Sequence, residues 1–185
     1  MSIEYAILGI LSWRPLSGYD LKKMIEGSTA LYWSGNNNEI YRTLVSLHDQ
    51  GLVSREILPQ ENYPARKVYT ITAKGQEELK KWVLSKPALP QRKHSLLIQL
   101  AWADQAAADE LDALLQEYED ELSMEILLTS AQQQPKAARL AYLDRSQART
   151  KREAYLWGMI LENWSAYYQN ELNWVRKLRQ GLREI

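Results

Sequence analysis

Apolar residues near the start of the chain recur at the spacing of an amphipathic helix over residues 2–12. Pro15 ends this segment. A second helix is predicted to begin after Ser17, which can cap it with Asp20 three positions later, and to end near Gly27. The chain is therefore predicted to open with two short helices joined by a turn.

A third helix is predicted within the stretch SGNNNEIYRTLVSLHDQGLV, residues 34–53. Asn36 and Glu39 have the spacing of a capping box, and Gly51 is a favourable residue for a left-handed helix end. Between them runs a stripe of apolar residues at positions i, i+4 and i+7, which we expect to face the core: Ile40, Leu44 and Leu47.

The polar and apolar pattern then changes to that of strands. Residues 52–58 and 67–72 are predicted strands, and the intervening PQENYPAR, residues 59–66, is predicted to be a loop because it contains two prolines. Thr72 can cap a further helix over residues 73–84. Three helices followed by a hairpin and a helix is the element order of a winged helix-turn-helix domain, in which the third helix reads DNA.

The second half of the chain contains only helical patterns. A hinge is predicted at residues 85–93, followed by a helix at 94–103, a long helix from Asp104 or Asp109 to about 134, and a last helix over 136–183. The fold class is therefore mainly α with a small β-hairpin. We expect a winged-helix DNA-binding domain at 1–84, the linker, and a helical dimerisation domain at 94–185.

Both long helices carry apolar residues at intervals of three to four positions. Such seams predict an antiparallel pair that needs a further partner, most simply the same pair from a second subunit. Eight residues are predicted to form this coiled-coil dimer seam: Leu111, Leu115, Tyr118, Leu122, Trp157, Leu161, Trp164 and Tyr168.

The composition restricts how the protein can bind nucleic acid and argues against a membrane or secreted protein. The formal net charge is zero, so any binding to nucleic acid must depend on a local patch. The chain has no cysteine and no apolar run of the roughly 20 residues that a membrane span requires. The first residues lack the basic flank and cleavage site of a signal peptide. We expect a soluble, cytoplasmic protein without contact with a membrane.

The outward face of the predicted third helix carries residue types that contact DNA. If the apolar stripe points inward, four polar residues lie on or beside the opposite face: Asn37, Asn38, Tyr41 and Arg42. Asn and Arg pair with base edges, and Tyr hydroxyls often contact phosphates. Arg66 and Lys67 beside the wing strand, and Lys22 and Lys23 on the second helix, can reach the DNA backbone. Taken singly, Asn residues at a helix start are more often caps, and Tyr41 and Arg42 are equally compatible with a solvated face.

The first 84 residues resemble the PadR-like transcriptional regulators. The resemblance depends on six short segments in order: YAILGIL at 5–11, SGYDL at 17–21, WS at 33–34, IYRTL at 40–44, GLV at 51–53 and KVYTITAKG at 67–75. The second half is similar in pattern to the helical C-terminal domain of the longer, AphA-like subgroup.

This resemblance implies a homodimer that binds double-stranded DNA at a palindromic operator. Most members of the family repress, some activate, and in some a small aromatic effector releases the DNA. The resemblance also implies that Tyr41 contacts the DNA backbone. One departure concerns the wing tip, which is often basic in the family and here contains Glu61.

The alternatives to a DNA-binding regulator are a protein-docking module and an enzyme. A winged-helix module that docks onto a protein partner, with the long helices as scaffold, agrees with the almost equal numbers of acidic and basic residues in the first 84. An enzyme is not expected, because the sequence has no phosphate loop, no nucleophile elbow and no metal-spaced histidines. No cofactor or metal is expected either. Four tryptophans are candidates for lining a ligand pocket, although aromatic residues at helical spacing are more typical of packing: Trp33, Trp102, Trp157 and Trp164.

Overall fold

The structure is a computed structural model that describes residues 3–27, 37–60, 63–89, 94–133 and 150–184. The chain divides into two compact units, Met1–Ala88 and Leu89–Ile185. The predicted boundaries of the linker, at 85 and 93, stay a prediction.

Within its described residues, the N-terminal unit contains four helices and a small antiparallel sheet. The elements are α1 Ile3–Leu11, β1 Leu16–Ser17, α2 Gly18–Glu26, α3 Asn37–Asp49, β2 Val53–Gln60, β3 Tyr63–Ile71 and α4 Ala73–Val83. The strand order is β1-β3-β2, so β3 lies between the other two. The predicted order of elements is confirmed, with β1 as an additional third strand. Two residues are too few to produce an alternating pattern, which explains why the sequence did not indicate β1.

The hairpin is longer than predicted. Residues 59–66 were expected to form a loop, yet β2 continues to Gln60 and β3 begins at Tyr63. The pairing between these strands extends to Gln60 and Tyr63, with an irregular register between Leu58 and Gln60. Pro59 lies in this irregular segment of an edge strand, where a missing N–H group is tolerated. The prediction of a loop was therefore wrong for most of its length.

Local capping defines the ends of these helices as the sequence predicted. The Ser17 hydroxyl accepts the Asp20 amide at 3.2 Å, and the Thr72 hydroxyl accepts the Gly75 amide at 3.1 Å. Gly51 follows α3 with φ of 71°, a left-handed conformation that glycine adopts without strain. The core of this unit includes residues from α1, α2, α3 and the start of β2: Ile7, Leu8, Leu11, Leu21, Ile25, Ile40, Leu44, Leu47 and Val53.

The regular secondary structure of the C-terminal unit is helical within its described residues. It contains α5 Ser95–Leu100, a short 3₁₀ turn Ala103–Gln105, α6 Ala108–Gln133 and α7 Lys151–Leu182. The predicted helix at 94–103 is shorter, because His94 serves as its N-cap and the 3₁₀ turn follows it. Pro135 and the predicted helical start at 136 lie outside the described residues.

Helices α6 and α7 pack antiparallel. Asp112 near the start of α6 contacts Arg179 near the end of α7, whereas Glu119, further along α6, contacts Arg176. Their shared core contains six buried residues from α5, α6 and α7: Leu96, Leu115, Leu122, Tyr168, Leu172 and Val175. The fold class, a winged helix followed by a helical unit, is confirmed. No helix among the described segments combines the length and apolarity needed to cross a membrane.

Candidate nucleic-acid interface

Helix α3 separates a buried stripe from an exposed polar face. The apolar stripe is buried: Leu44 has no exposed surface, and Ile40 and Leu47 are also buried. On the opposite side Tyr41 is 46% exposed, and Arg42 is exposed as well. The prediction that Tyr41 and Arg42 face solvent is therefore confirmed, and their contact with DNA stays a prediction.

The start of α3 is only partly described. Asn38 is exposed on the first turn and has an interaction partner within the chain. Asn36 and the side chain of Asn37 lie outside the described residues. The proposed contacts of these amides with base edges stay predictions.

The ring of Tyr41 packs against the first turn of α2. A Cβ atom built on Gly18 would lie 2.6 Å from Cε1 and 3.2 Å from Cδ1 of Tyr41. These distances are below ordinary carbon–carbon contact. Tyr41 therefore occupies space that exists only because residue 18 has no side chain.

The wing cation Arg66 is bound to α2. Its Nη2 atom donates to Oδ2 of Asp20 at 2.6 Å, and the Ser17 hydroxyl donates to the same oxygen, also at 2.6 Å. Partial burial of the Asp20 carboxyl opposes its ionisation, but the hydrogen bonds from Ser17 and Arg66 outweigh this effect and lower its pKa. Arg66 remains 47% exposed, so part of its guanidinium is accessible to a ligand. Lys67, the next residue on β3, is also exposed.

The two lysines of α2 that are predicted to contact DNA interact with other side chains of the same helix. Lys22 forms an ion pair with Glu26 at 3.6 Å, and the Lys23 ammonium lies 4.6 Å from the centre of the Tyr19 ring. Both partners are four residues along the helix, a spacing that brings side chains together. A phosphate contact from either lysine would have to compete with these interactions.

Two residues of this surface did not stand out from the sequence as site residues. Asp20 was identified only as a capping residue and Gly18 only as part of a motif, yet the structure brings Asp20 to Arg66 and Gly18 to Tyr41. The signal for both was their place in the segment SGYDL. The pairings themselves join residues that are distant in sequence, and no spacing rule indicates them.

The predicted dimer seam residues lie mainly within the packing of one chain. Half of them are buried, Leu115, Leu122, Leu161 and Tyr168, and the others are half-buried, Leu111, Tyr118, Trp157 and Trp164. The four buried side chains therefore have little surface left for a second chain, whereas a dimer contact of the four half-buried ones stays a prediction. Exposed apolar residues occur instead elsewhere on α6 and α7, notably Met124, Leu127, Tyr155, Leu156, Met159 and Ile160.

Tyr118 belongs to a polar cluster with residues of α5 and α7. Its hydroxyl lies 3.3 Å from Nε2 of His94, and the same nitrogen lies 2.9 Å from Oε1 of Glu171. Burial and the nearby Glu171 carboxylate raise the pKa of Tyr118 to about 12. The hydroxyl therefore stays protonated at neutral pH and is available as a hydrogen-bond donor. Within the described residues no three acidic or histidine side chains are grouped as a metal site would require.

The four tryptophans that are candidates for a ligand pocket differ in their surroundings. Trp33 lies outside the described residues. Trp102 is 67% exposed and lines an open cavity of about 500 Å³ with Leu100, Leu111 and Leu114. Trp164 stacks on Tyr168 with ring centres 6.1 Å apart, which indicates packing.

Residues 7–81, which include α3 and the wing, match the transcriptional regulator PadR-like family. These residues therefore form a PadR-like domain. The chain is 33% identical over 89 residues to the negative transcriptional regulator PadR of Bacillus subtilis, and 33% identical over 92 residues to a probable transcriptional regulator of Mycobacterium tuberculosis. These alignments cover 48% and 50% of this chain and span about half of each relative, 49% and 48%.

Solved structures resemble the whole chain rather than the PadR-like domain alone. Bacillus subtilis PadR in complex with operator DNA has a TM-score of 0.78 at 20% identity, with 97% of both chains covered. The same protein in complex with p-coumaric acid has a TM-score of 0.73 at 20% identity, with 98% of both chains covered. The Vibrio cholerae virulence activator AphA has a TM-score of 0.69 at 22% identity, with 99% of both covered. At these identities the likeness establishes the fold, including the helical C-terminal unit.

Proposed function

We propose that the protein is a sequence-specific DNA-binding transcriptional regulator. The observation that carries this proposal is the exposed pair Tyr41 and Arg42 on α3, opposite a fully buried stripe, in a PadR-like domain. In winged helix-turn-helix proteins the third helix enters the major groove. Tyr41 then contacts a phosphate through its hydroxyl, and Arg42 contacts a guanine edge or a phosphate.

The wing and α2 contribute further cations to the same interface. Arg66 and Lys67 are exposed on β3, and the remaining N–H groups of Arg66 can bind a phosphate while Asp20 holds one side of the guanidinium. Lys22 and Lys23 exchange their partners on α2 for phosphates when DNA is bound. Several local cations thereby support binding although the net charge of the chain is zero.

A homodimer completes the proposal. Exposed apolar residues recur along α7 at intervals of four, seven and seven positions, Leu156, Ile160, Tyr167 and Trp174, and Leu127 is 64% exposed on α6. Apolar surface of this extent on long helices is typical of a subunit interface. Two winged-helix domains related by a two-fold axis would bind a palindromic operator with half-sites about 34–36 Å apart or a multiple of that distance.

The proposed direction of regulation and the proposed effector are inferred from the relatives. The Bacillus subtilis relative is named a negative regulator, and one of its structures contains p-coumaric acid. We therefore assign repression to this protein and a small aromatic effector that releases its DNA. The cavity beside Trp102 offers aromatic and apolar surface of a size that suits such a ligand.

A protein-docking role is the second candidate. Three apolar residues are exposed on α3 and the wing strand β2, namely Val45, Ile57 and Leu58. A partner protein that covers them would bind through apolar burial. Its affinity would change little with salt, in contrast to the steep salt dependence of a DNA complex.

Capture of fragmented genomic DNA on the purified protein tests the proposal, with sequencing of the retained fragments across a salt series. The double variant Tyr41→Phe with Arg42→Ala removes the proposed contacts, and Lys80→Ala, which removes an exposed cation of α4, is the matched control. Palindromic sequences retained by the wild type and the control, but lost in the double variant and at high salt, would support the proposal. Retention that is unaffected by the double variant would contradict the assignment of α3, and retention of no discrete sequence would favour the docking role.

A further inference from the structure

We propose that Gly18 is a positioning residue for DNA binding, because its missing side chain leaves the space in which the Tyr41 ring is seated. This inference rests on the proposed role of Tyr41 as a phosphate contact. Gly18 itself is buried at the first turn of α2 and is not assigned any contact with DNA.

The backbone gives no reason for glycine at this position. Among the described glycines only Gly51 has a positive φ, so residue 18 adopts a conformation open to any amino acid. Gly18 begins a helix whose N-cap is Ser17, and helices generally favour alanine over glycine. The absence of a side chain at position 18 is therefore explained by what surrounds it.

The neighbour that requires the space is the Tyr41 ring. A Cβ atom on residue 18 would come within 2.6 Å of the ring, whereas its approach to Leu44 Cδ1, at 3.4 Å, is an ordinary contact. Tyr41 is 46% exposed, so its ring can rotate toward solvent when it is displaced. Leu44 has no exposed surface and stays in the core. A methyl group at position 18 is thus expected to move the ring and to leave the fold intact.

Displacement of the ring changes where the Tyr41 hydroxyl lies. In the native arrangement the ring is confined on one side by α2, so the hydroxyl is held in place before DNA arrives. Such preorganisation strengthens binding because less side-chain entropy is lost in the complex. The first turn of α2 therefore orients two side chains of the proposed interface. Gly18 orients Tyr41 on α3, and Asp20 orients Arg66 on the wing.

A double-mutant cycle tests this inference. The operator affinities of the wild type, Gly18→Ala, Tyr41→Ala and the double variant are measured by fluorescence anisotropy, on a labelled duplex that carries the palindrome recovered by capture. Gly18→Ala is expected to weaken binding about tenfold, the order of one lost hydrogen bond per head. It should have no further effect once the ring is absent in Tyr41→Ala. Gly9→Ala is the control, because a Cβ on that helical glycine meets nothing within 4 Å.

Independent losses that add in the double variant, or wild-type affinity in Gly18→Ala, would overturn the positioning role. If Tyr41→Ala binds like the wild type, the proposed phosphate contact itself fails. The placement of the ring is measured separately, without DNA, from the ¹H–¹³C ring signals of Tyr41, identified by their loss in Tyr41→Phe. These signals should shift in Gly18→Ala and not in Gly9→Ala, and unchanged signals would refute the steric argument. Should Gly18→Ala lose its fold, the double variant should regain it, and a double variant that stays unfolded would also overturn the inference.

Discussion

Arg66 on the wing donates to the carboxylate of Asp20 on α2 across 2.6 Å, although the two residues are 46 positions apart in the chain. The strand β1, immediately before α2, also pairs with β3, through Leu16 with Tyr69 and Ser17 with Val68. The wing is therefore attached to the helix-turn-helix by backbone pairing and by an ion pair. This double attachment implies that the wing and α2 form one rigid surface, which carries the cations proposed to contact DNA.

Asp20→Asn is expected to lower the free energy of unfolding by about 0.5 kcal/mol at pH 7, the usual size for a partly exposed ion pair. Because the pKa of Asp20 is lowered in the folded state, the pair stabilises the protein above the unfolded-state pKa. The stabilisation is lost as the pH falls through the folded-state value. Urea unfolding from pH 7 down toward pH 3 should therefore show the difference between variant and wild type shrinking. Arg66→Gln should show the same trend, and a difference that is constant with pH would contradict the pairing.

Gly75→Ala and Gly9→Ala are expected to change stability in opposite directions. A Cβ on Gly75 would overlap the carbonyl oxygen of Leu52, which is backbone and cannot rotate away, so we expect a loss of about 2 kcal/mol. A Cβ on Gly9 meets nothing within 4 Å, and alanine should stabilise α1 by up to about 1 kcal/mol. Thermal and urea unfolding of the two variants measure both effects. A neutral Gly75→Ala would contradict the close approach of α4 to Leu52.

Arg179 is expected to be the most important polar residue of the C-terminal unit. Its guanidinium is buried, binds Asp112 through two hydrogen bonds of 2.9 Å, and donates to Glu119 at 2.8 Å. The side chain of Glu119 is 11% exposed, so Arg179→Ala leaves a carboxylate that is poorly solvated. We expect a loss of about 2 kcal/mol, less than for a fully enclosed pair because Asp112 remains accessible to water.

Arg176→Ala provides the control for this substitution on the same helix. Arg176 also contacts Glu119, at 3.2 Å, but its side chain is 56% exposed. Its removal should therefore cost less than about 0.5 kcal/mol. Equal losses in the free energy of unfolding, measured in urea, would show that the burial of Arg179 does not add to its contribution to stability.

Leu156→Glu combined with Leu127→Glu is expected to convert the proposed dimer into a monomer. Their exposed fractions are 51% and 64%, so a charge is tolerated within one chain but is costly inside an apolar interface. Light scattering on the full chain gives the mass directly. Ile57→Glu, at 55% exposure on the wing, is the control and should leave the mass unchanged. A monomeric wild type would refute the dimer.

Substitutions are better suited to this test than removal of α7. Leu115 on α6 is fully buried in a core shared with Leu172 and Val175 of α7. Deletion of the last helix would expose that core, and the resulting chain would associate or unfold for reasons unrelated to a dimer. The point variants leave this core intact.

The sequence determined the features that depend on neighbouring residues. Ser17 and Thr72 cap the helices that follow them, and Gly51 ends α3 with a positive φ, since each of these interactions spans only a few positions. The stripe that includes Leu44 repeats at helical spacing, so the opposite face with Tyr41 could be predicted as exposed. These local patterns were sufficient for the order of elements and for the family resemblance.

Only the tertiary structure decided which distant residues meet. The extension of the hairpin past Pro59 depends on cross-strand pairing, and β1 exists only because β3 lies beside it. The contacts of Asp20 with Arg66 and of Gly18 with Tyr41 join separate elements, and spacing along the chain cannot encode them. Sequence spacing also could not decide what buries the predicted seam. An apolar repeat shows that a residue packs against another helix, but not whether that helix belongs to the same chain or to a second one. Periodicity specifies a face, whereas packing in three dimensions specifies what covers it.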